Sequence, residues 1–274
     1  MEAALSWLSA PCVMGVLNVT PDSFYDGGVH DDPEAAWSRL AEVAEQGAAI
    51  CDVGAESTRP GASPVAAERQ IERLAPLLSR AAERGLPLPL SIDTTSARVA
   101  EVALEAGASF VNDTSAGADD ARLLPLVAER GAGVCLMHRR GTPATMQRDP
   151  VYADVVSDVR DALARRAEAA VAAGVAESAI VLDPGIGFGK TLQHNLALLG
   201  GLADLRALGF PVMVGVSRKS MFDRLLGRAV TDRLAASLGA GLAAVAVGAD
   251  VLRVHDVRET VDALGAWVAV AEAA

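Results

Sequence analysis

Short apolar runs that stop at polar residues alternate along the whole chain with longer Ala/Leu/Arg/Glu segments of helical spacing. Eight runs read as strands: residues 12–17, 48–53, 88–92, 110–111, 133–137, 179–182, 211–216 and 251–254. Between them, residues 33–46, 66–83, 96–106, 121–128, 152–173, 195–207 and 231–244 read as helices, and 257–271 as a last one. Such alternation builds a parallel sheet with helical crossovers. Gly47, Gly85, Gly107, Gly131, Gly174 and Gly209 stand where a helix-closing residue belongs. Eight units in 274 residues predict an α/β fold, a (β/α)8 TIM barrel in a single domain over 1–274, with 1–11 as a short N-terminal extension. An open doubly wound sheet is the alternative, but it usually carries fewer strands. No linker, composition shift or low-complexity segment divides the chain.

The C-terminal ends of the eight runs carry the chemistry. They hold Asn18, Asp52, Asp93, Asn112 with Asp113, His138, Asp183, Ser217 with Arg218 and Lys219, and Arg253 with His255. A barrel gathers all eight ends on one face, where active sites form. An Asp or Asn at any one strand end is often only a helix cap. A full set of polar ends points to a pocket. Asp93, Asn112 and Asp183 suit a flat heterocycle with several N–H donors and ring acceptors. Lys219, Arg253 and His255 suit an anion or an electron-rich ring face. A salt bridge to an acidic neighbour is the plainer account of these cations. Two long polar loops, 18–28 and 56–61, follow strands on the same face and read as lids or binding loops. Phe24 on the first loop is either a ring contact or a packing anchor.

Composition narrows the choice. Lys plus Arg is 24 and Asp plus Glu 35, a net charge of −11, which argues against wholesale binding of a phosphate backbone. Aromatics are only 4%, too few for stacking surfaces that hold single strands. Cys12, Cys51 and Cys135 have no metal-ligand spacing and sit in apolar runs, as buried free thiols do in a reducing compartment. Residues 1–11 carry an acid and no basic residue, and 234–249 is too short for a membrane span. A cytoplasmic protein is expected.

Some tempting motifs fail. Residues 183–191 suggest a phosphate-binding P-loop, but Pro184 stands where its first Gly must be. The four histidines have no paired ligand spacing, which disfavours a His-built zinc site. A hard cation held by an oxygen such as that of Asn18, together with substrate phosphate, fits the way Mg²⁺ uses few protein ligands.

The motifs themselves resemble those of the dihydropteroate synthase family. They are residues 14–24 with Asn18 and Phe24, 56–61 with Thr58, Arg59 and Pro60, 92–94 with Asp93, 182–190 with Asp183 and Phe188, and 217–220 with Ser217 and Lys219. Residues 137–138, 141–147 and 253–256 add to the likeness. The resemblance runs from about position 13 to 256, in order. It implies an enzyme of folate biosynthesis, a transferase. The family joins p-aminobenzoate to (7,8-dihydropterin-6-yl)methyl diphosphate, releasing diphosphate and forming 7,8-dihydropteroate. By this resemblance Asp93, Asn112, Asp183 and Lys219 hold the pterin and Arg253 packs along its face. Asn18 ligates Mg²⁺, and His255 and Arg59 bind the diphosphate. Phe24, Thr58, Pro60, Phe188 and Ser217 line the p-aminobenzoate site, Thr58 also bordering the pterin. Asp93, Lys219 and Arg59 carry the catalysis. A homodimer and ordinary sulfonamide sensitivity are further expectations, with the Val261, Leu264 and Val268 face as a candidate contact. The chain departs from the family in Ala55, where Gly is frequent, and in the added charge of Arg139 and Arg140.

Two other readings stay open on sequence alone. One is a methyltetrahydrofolate:corrinoid methyltransferase, which shares the pterin barrel but needs no arylamine site. The other is a pterin-binding paralogue without activity. A Schiff-base lyase ranks last, because Lys190 and Lys219 are the only lysines and the first lies in a glycine loop.

Overall fold

The computed structural model describes residues 4–20, 33–57, 61–142 and 144–273. Its strands are β1 (Cys12–Asn18), β2 (Ile50–Gly54), β3 (Leu90–Asp93), β4 (Phe110–Asp113), β5 (Gly133–Met137), β6 (Ile180–Asp183), β7 (Met213–Val214) and β8 (Val251–Val254). The helices are α1 (Pro33–Glu45), α2 (Ala67–Arg84), α3 (Ala97–Glu105), α4 (Leu123–Arg130), α5 (Val155–Ala172), α6 (Leu192–Gly200), α7 (Leu202–Arg206), α8 (Met221–Leu226), α9 (Leu234–Val247) and α10 (Val257–Glu272). All strand pairs are parallel, in the order β6-β5-β4-β3-β2-β1-β8-β7. A single parallel bridge, Leu182 with Val212, joins β6 to the β7 side and closes the barrel. The expected (β/α)8 TIM barrel is the observed fold.

Strand alternation divides the side chains between two cores. One set faces the helices in a large shell that includes Leu17, Val53, Ile92, Val111, Leu136, Leu182, Val214 and Leu252. The other fills the barrel: Cys12, Met14, Ile50, Phe110, Cys135, Val181, Met213 and Val251 pack with Trp7. Trp7 meets Phe110 edge-on at 5.4 Å between ring centroids. The apolar interior thus occupies the N-terminal end of the strands. One step along each strand toward its C-terminus, the inward positions become Asp52, Ser91, Asp93, Asn112, Asp183 and Arg253.

The structure refines several expected boundaries. The expected strand at 211–216 keeps only β7, and the short run at 110–111 extends to Asp113. The expected helix 195–207 is two helices, broken at Gly200 and Gly201. A Cβ on Gly201 would lie 2.9 Å from Val156, so this glycine lets α5 approach where the helix is interrupted. The six helix-closing glycines all have positive φ. Three helices are capped as their sequences suggest: Ser96 receives the Val99 N–H, Asp154 the Ser157 N–H, and Thr191 pairs reciprocally with His194. The three cysteines are buried and free. Among the described residues no helix is long and apolar enough to cross a membrane.

Candidate active site

The centre of the polar layer is a buried ion pair drawn from four strands. Arg253 of β8 donates from Nε to Asp52 Oδ2 at 2.7 Å and from Nη2 to Asp93 Oδ2 at 2.8 Å. Asp52 also accepts Asn112 Nδ2 at 2.8 Å and the Ser91 hydroxyl at 2.5 Å. Asp52 and Ser91 are fully buried. Such carboxylates persist in a core only when paired and hydrogen-bonded. Burial works against the charge on Arg253, but Asp52 and Asp93 outweigh it and raise its pKa further. Burial also raises the pKa of Asp93; Arg253 opposes the rise, and Asp52, Glu56 and Asp113 add to it. Asp93 therefore holds its proton more readily than an ordinary carboxyl.

Lys219 approaches from beyond β7. Its Nζ donates to the Ile186 carbonyl at 2.8 Å and sits 4.3 Å from the centroid of the Phe188 ring. Burial pulls its pKa down to about 8, with Asp183 opposing, Arg253 adding to the fall and Asp93 opposing. Asp183 accepts the Gly185 N–H at 2.6 Å. Burial raises its pKa against that bond and the nearby Lys219. Ser217 Oγ lies 3.2 Å from both the backbone N and Nδ1 of His255. At the end of β2, a Cβ added to Gly54 would stand 3.4 Å from Asp93 Cβ and 3.6 Å from Asn18 Oδ1. Asn18 of β1 and Asp93 of β3 thus flank that position, paired with Gly54 from either side.

Asn18, Asp93, Asn112, Asp183, Ser217, Lys219, Arg253 and His255 thus gather at the C-terminal end of the barrel. Phe188 joins them from the β6–α6 loop. Phe24, Thr58, Arg59 and Pro60 lie outside the described residues. Asp113 turns the other way and folds the turn after β4, accepting from Ser115 and Gly117. Sequence reasoning marked Asp52 only as a polar strand end and gave Ser91 no role. The signal for Asp52 was its place in the strand-end series; its partner Arg253 is distant in the chain. The departures are absorbed locally. Ala55 is buried in the helix-facing core. Arg139 pairs with Asp119, and Arg140 lies 4.8 Å over the Tyr152 ring.

Carboxylates, an amide and two half-buried cations at the mouth of a closed barrel define a class: a (β/α)8 enzyme that holds a small polar ring and an anion. The family described as pterin binding enzyme matches residues 14–255. A dihydropteroate synthase of Neisseria meningitidis serogroup B is 44% identical over 268 residues, covering 96% of this chain and 93% of the relative. The Xanthomonas albilineans dihydropteroate synthase solved with 4-aminobenzoic acid is 44% identical, with a TM-score of 0.89 over 96% of this chain and 93% of that one. The Yersinia pestis dihydropteroate synthase in a sulfonamide drug complex is 40% identical, with a TM-score of 0.90 over 97% and 96%. This chain belongs to the dihydropteroate synthase family of pterin-binding enzymes.

Proposed function

We propose that this chain condenses (7,8-dihydropterin-6-yl)methyl diphosphate with p-aminobenzoate, giving 7,8-dihydropteroate and diphosphate in folate biosynthesis. The observation that carries the residue assignment is the Asp52–Arg253–Asp93 pair beside Asn112, Asp183 and Lys219. Asp93, Asp183 and the Asn112 amide offer acceptors and a donor for the edge of a pterin. Arg253, fixed by two carboxylates, offers its flat guanidinium to the ring face. Lys219 supplies a positive charge near the ring acceptors.

The C–O bond to diphosphate breaks, the electron pair leaves with the diphosphate, and the arylamine nitrogen forms the new C–N bond and then loses a proton. The enzyme need supply no nucleophile. Positive charge developing on the pterin methylene is delocalised into the ring and faced by Asp93. Arg59 and His255 bind the departing diphosphate. Phe24, Thr58, Pro60, Phe188 and Ser217 enclose the arylamine and exclude water, the competing nucleophile.

The described residues hold no cluster of three His, Cys, Asp or Glu suited to a metal. The neutral oxygen of Asn18, beside Asp93, is the donor chemistry expected where Mg²⁺ keeps its waters and takes its other ligands from substrate phosphate. Bound there, Mg²⁺ would neutralise diphosphate charge. A homodimer in the cytoplasm completes the reading. Exposed Leu225, Leu226 and Val230 support a contact between copies better than Leu264, which is buried in the core.

The test supplies both substrates with Mg²⁺ and identifies the product by mass. Formation of 7,8-dihydropteroate is expected. Pterin binding without product would instead indicate the inactive paralogue.

A further inference from the structure

Lys190 has no part in the chemistry above, yet it is among the most buried side chains of the molecule, 1% exposed. A lysine ammonium is costly to bury unless its protons are received. Here Nζ lies 3.0 Å from His138 Nδ1, 3.2 Å from the His138 carbonyl and 3.0 Å from the Phe188 carbonyl. The amine therefore rivets the segment after β5 to the loop after β6.

That loop is held along its length. Four successive carbonyls, 186 to 189, each accept from a different side chain. Lys219 donates to Ile186 at 2.8 Å, Gln147 to Gly187 at 2.6 Å, Lys190 to Phe188 at 3.0 Å and the Tyr152 hydroxyl to Gly189 at 2.9 Å. Asn195 Oδ1 receives the Gly187 N–H at 2.8 Å. The two loops also abut closely. A Cβ on Gly185 would fall 1.9 Å from the His138 carbonyl oxygen, and one on Gly189 2.6 Å from that of Arg140. Loops usually carry mobile backbone, whereas this one is a pinned rail. Its outward product is the half-exposed Phe188 ring under Lys219.

We propose that Lys190 is a positioning residue that fixes the Phe188 ring, by holding the Phe188 carbonyl to His138, and so shapes the arylamine side of the site. This rests on the reading that Phe188 borders the p-aminobenzoate subsite. Loss of the rivet frees the peptide that carries the ring, and sub-ångström misplacement there weakens arylamine binding. The pterin contacts on β2, β3, β4 and β8 lie away from the rivet, whereas Asp183 and Lys219 border the same loop through Gly185 and Ile186, so the pterin side is expected to respond less rather than not at all.

The experiment is two-substrate steady-state kinetics on Lys190→Met, Gln147→Leu and Phe188→Ala, with thermal melts of each. Lys190→Met keeps the side-chain length and removes the ammonium. It is expected to raise KM for p-aminobenzoate about 10-fold, and Ki for a sulfonamide by a similar factor, while KM for the pterin diphosphate moves less than about 3-fold. Gln147 is exposed, so Gln147→Leu remains folded and is expected to show the same selective pattern at about 3-fold. It decides the matter should Lys190→Met fail to fold. If Phe188→Ala raises KM for p-aminobenzoate and neither rail variant does, the positioning role is overturned. Equal rises in both KM values for the rail variants overturn it too. If Phe188→Ala itself leaves that KM unchanged, the assignment of Phe188 to the arylamine subsite is what fails, and the positioning proposal falls with it.

Discussion

Replacement of Asp52 tests whether the buried ion pair organises the site. Its carboxylate is fully buried and accepts from Arg253, Asn112 and Ser91. Asp52→Asn keeps the shape. The amide oxygen can occupy the position that serves both Arg253 and Asn112, and its NH₂ then faces the Ser91 hydroxyl, which can rotate to accept. What is lost is chiefly the charge assistance of one guanidinium bond, a difference of about 1–2 kcal/mol between charged and neutral hydrogen bonds. Asp52→Ala removes every acceptor and leaves Arg253 with Asp93 alone, which costs about 3–5 kcal/mol. In a chain of this size each kcal/mol lowers the melting temperature by about 2–4 °C. Drops of about 2–8 °C for Asn and about 6–20 °C for Ala are therefore expected. Urea unfolding followed by circular dichroism, with the melts, measures both. A loss below about 1 kcal/mol for Asp52→Ala, or equal losses for the two variants, would refute the assignment of Asp52 as the hub.

Other expectations concern the same face of the barrel. Lys219 has its pKa lowered by burial to about 8 from 10.5. Between those values the unfolded chain binds a proton that the folded one does not, so this group makes stability rise with pH while the pocket loses its cation. A pH profile of kcat/KM for the pterin diphosphate should show an alkaline limb near pH 8, which Lys219→Arg moves to higher pH; an unmoved limb assigns it to another group. Chelation of Mg²⁺ should abolish turnover, and Asn18→Ala should raise the Mg²⁺ needed for half-maximal rate about 10-fold or more; an unchanged requirement removes Asn18 from the metal site. Sulfonamides should inhibit competitively with p-aminobenzoate, and an inhibition curve flat at high concentration contradicts that expectation.

The barrel was legible because its signal is local. Apolar runs, helical spacing and closing glycines report on neighbouring residues, and the polar strand ends converge once a barrel is assumed. Elements that depend on distant contacts were less legible. β7 is reduced to Met213–Val214 at the seam where the barrel closes by a single bridge. The break falls at Gly201, where α5 approaches the bare backbone. Asp113 looked like Asn112's twin at a strand end, but alternation sends the two side chains to opposite faces. Asp52 gained its meaning only when folding brought Arg253 across the barrel, and Lys190 only when β5 and β6 set its three acceptors together.

The most direct test of the central claim is diphosphate release from (7,8-dihydropterin-6-yl)methyl diphosphate with Mg²⁺, measured with and without p-aminobenzoate. The account predicts release that depends on the arylamine and is lost in Asp93→Ala and Lys219→Ala. Release at the same rate without p-aminobenzoate, or retained in both variants, would contradict it.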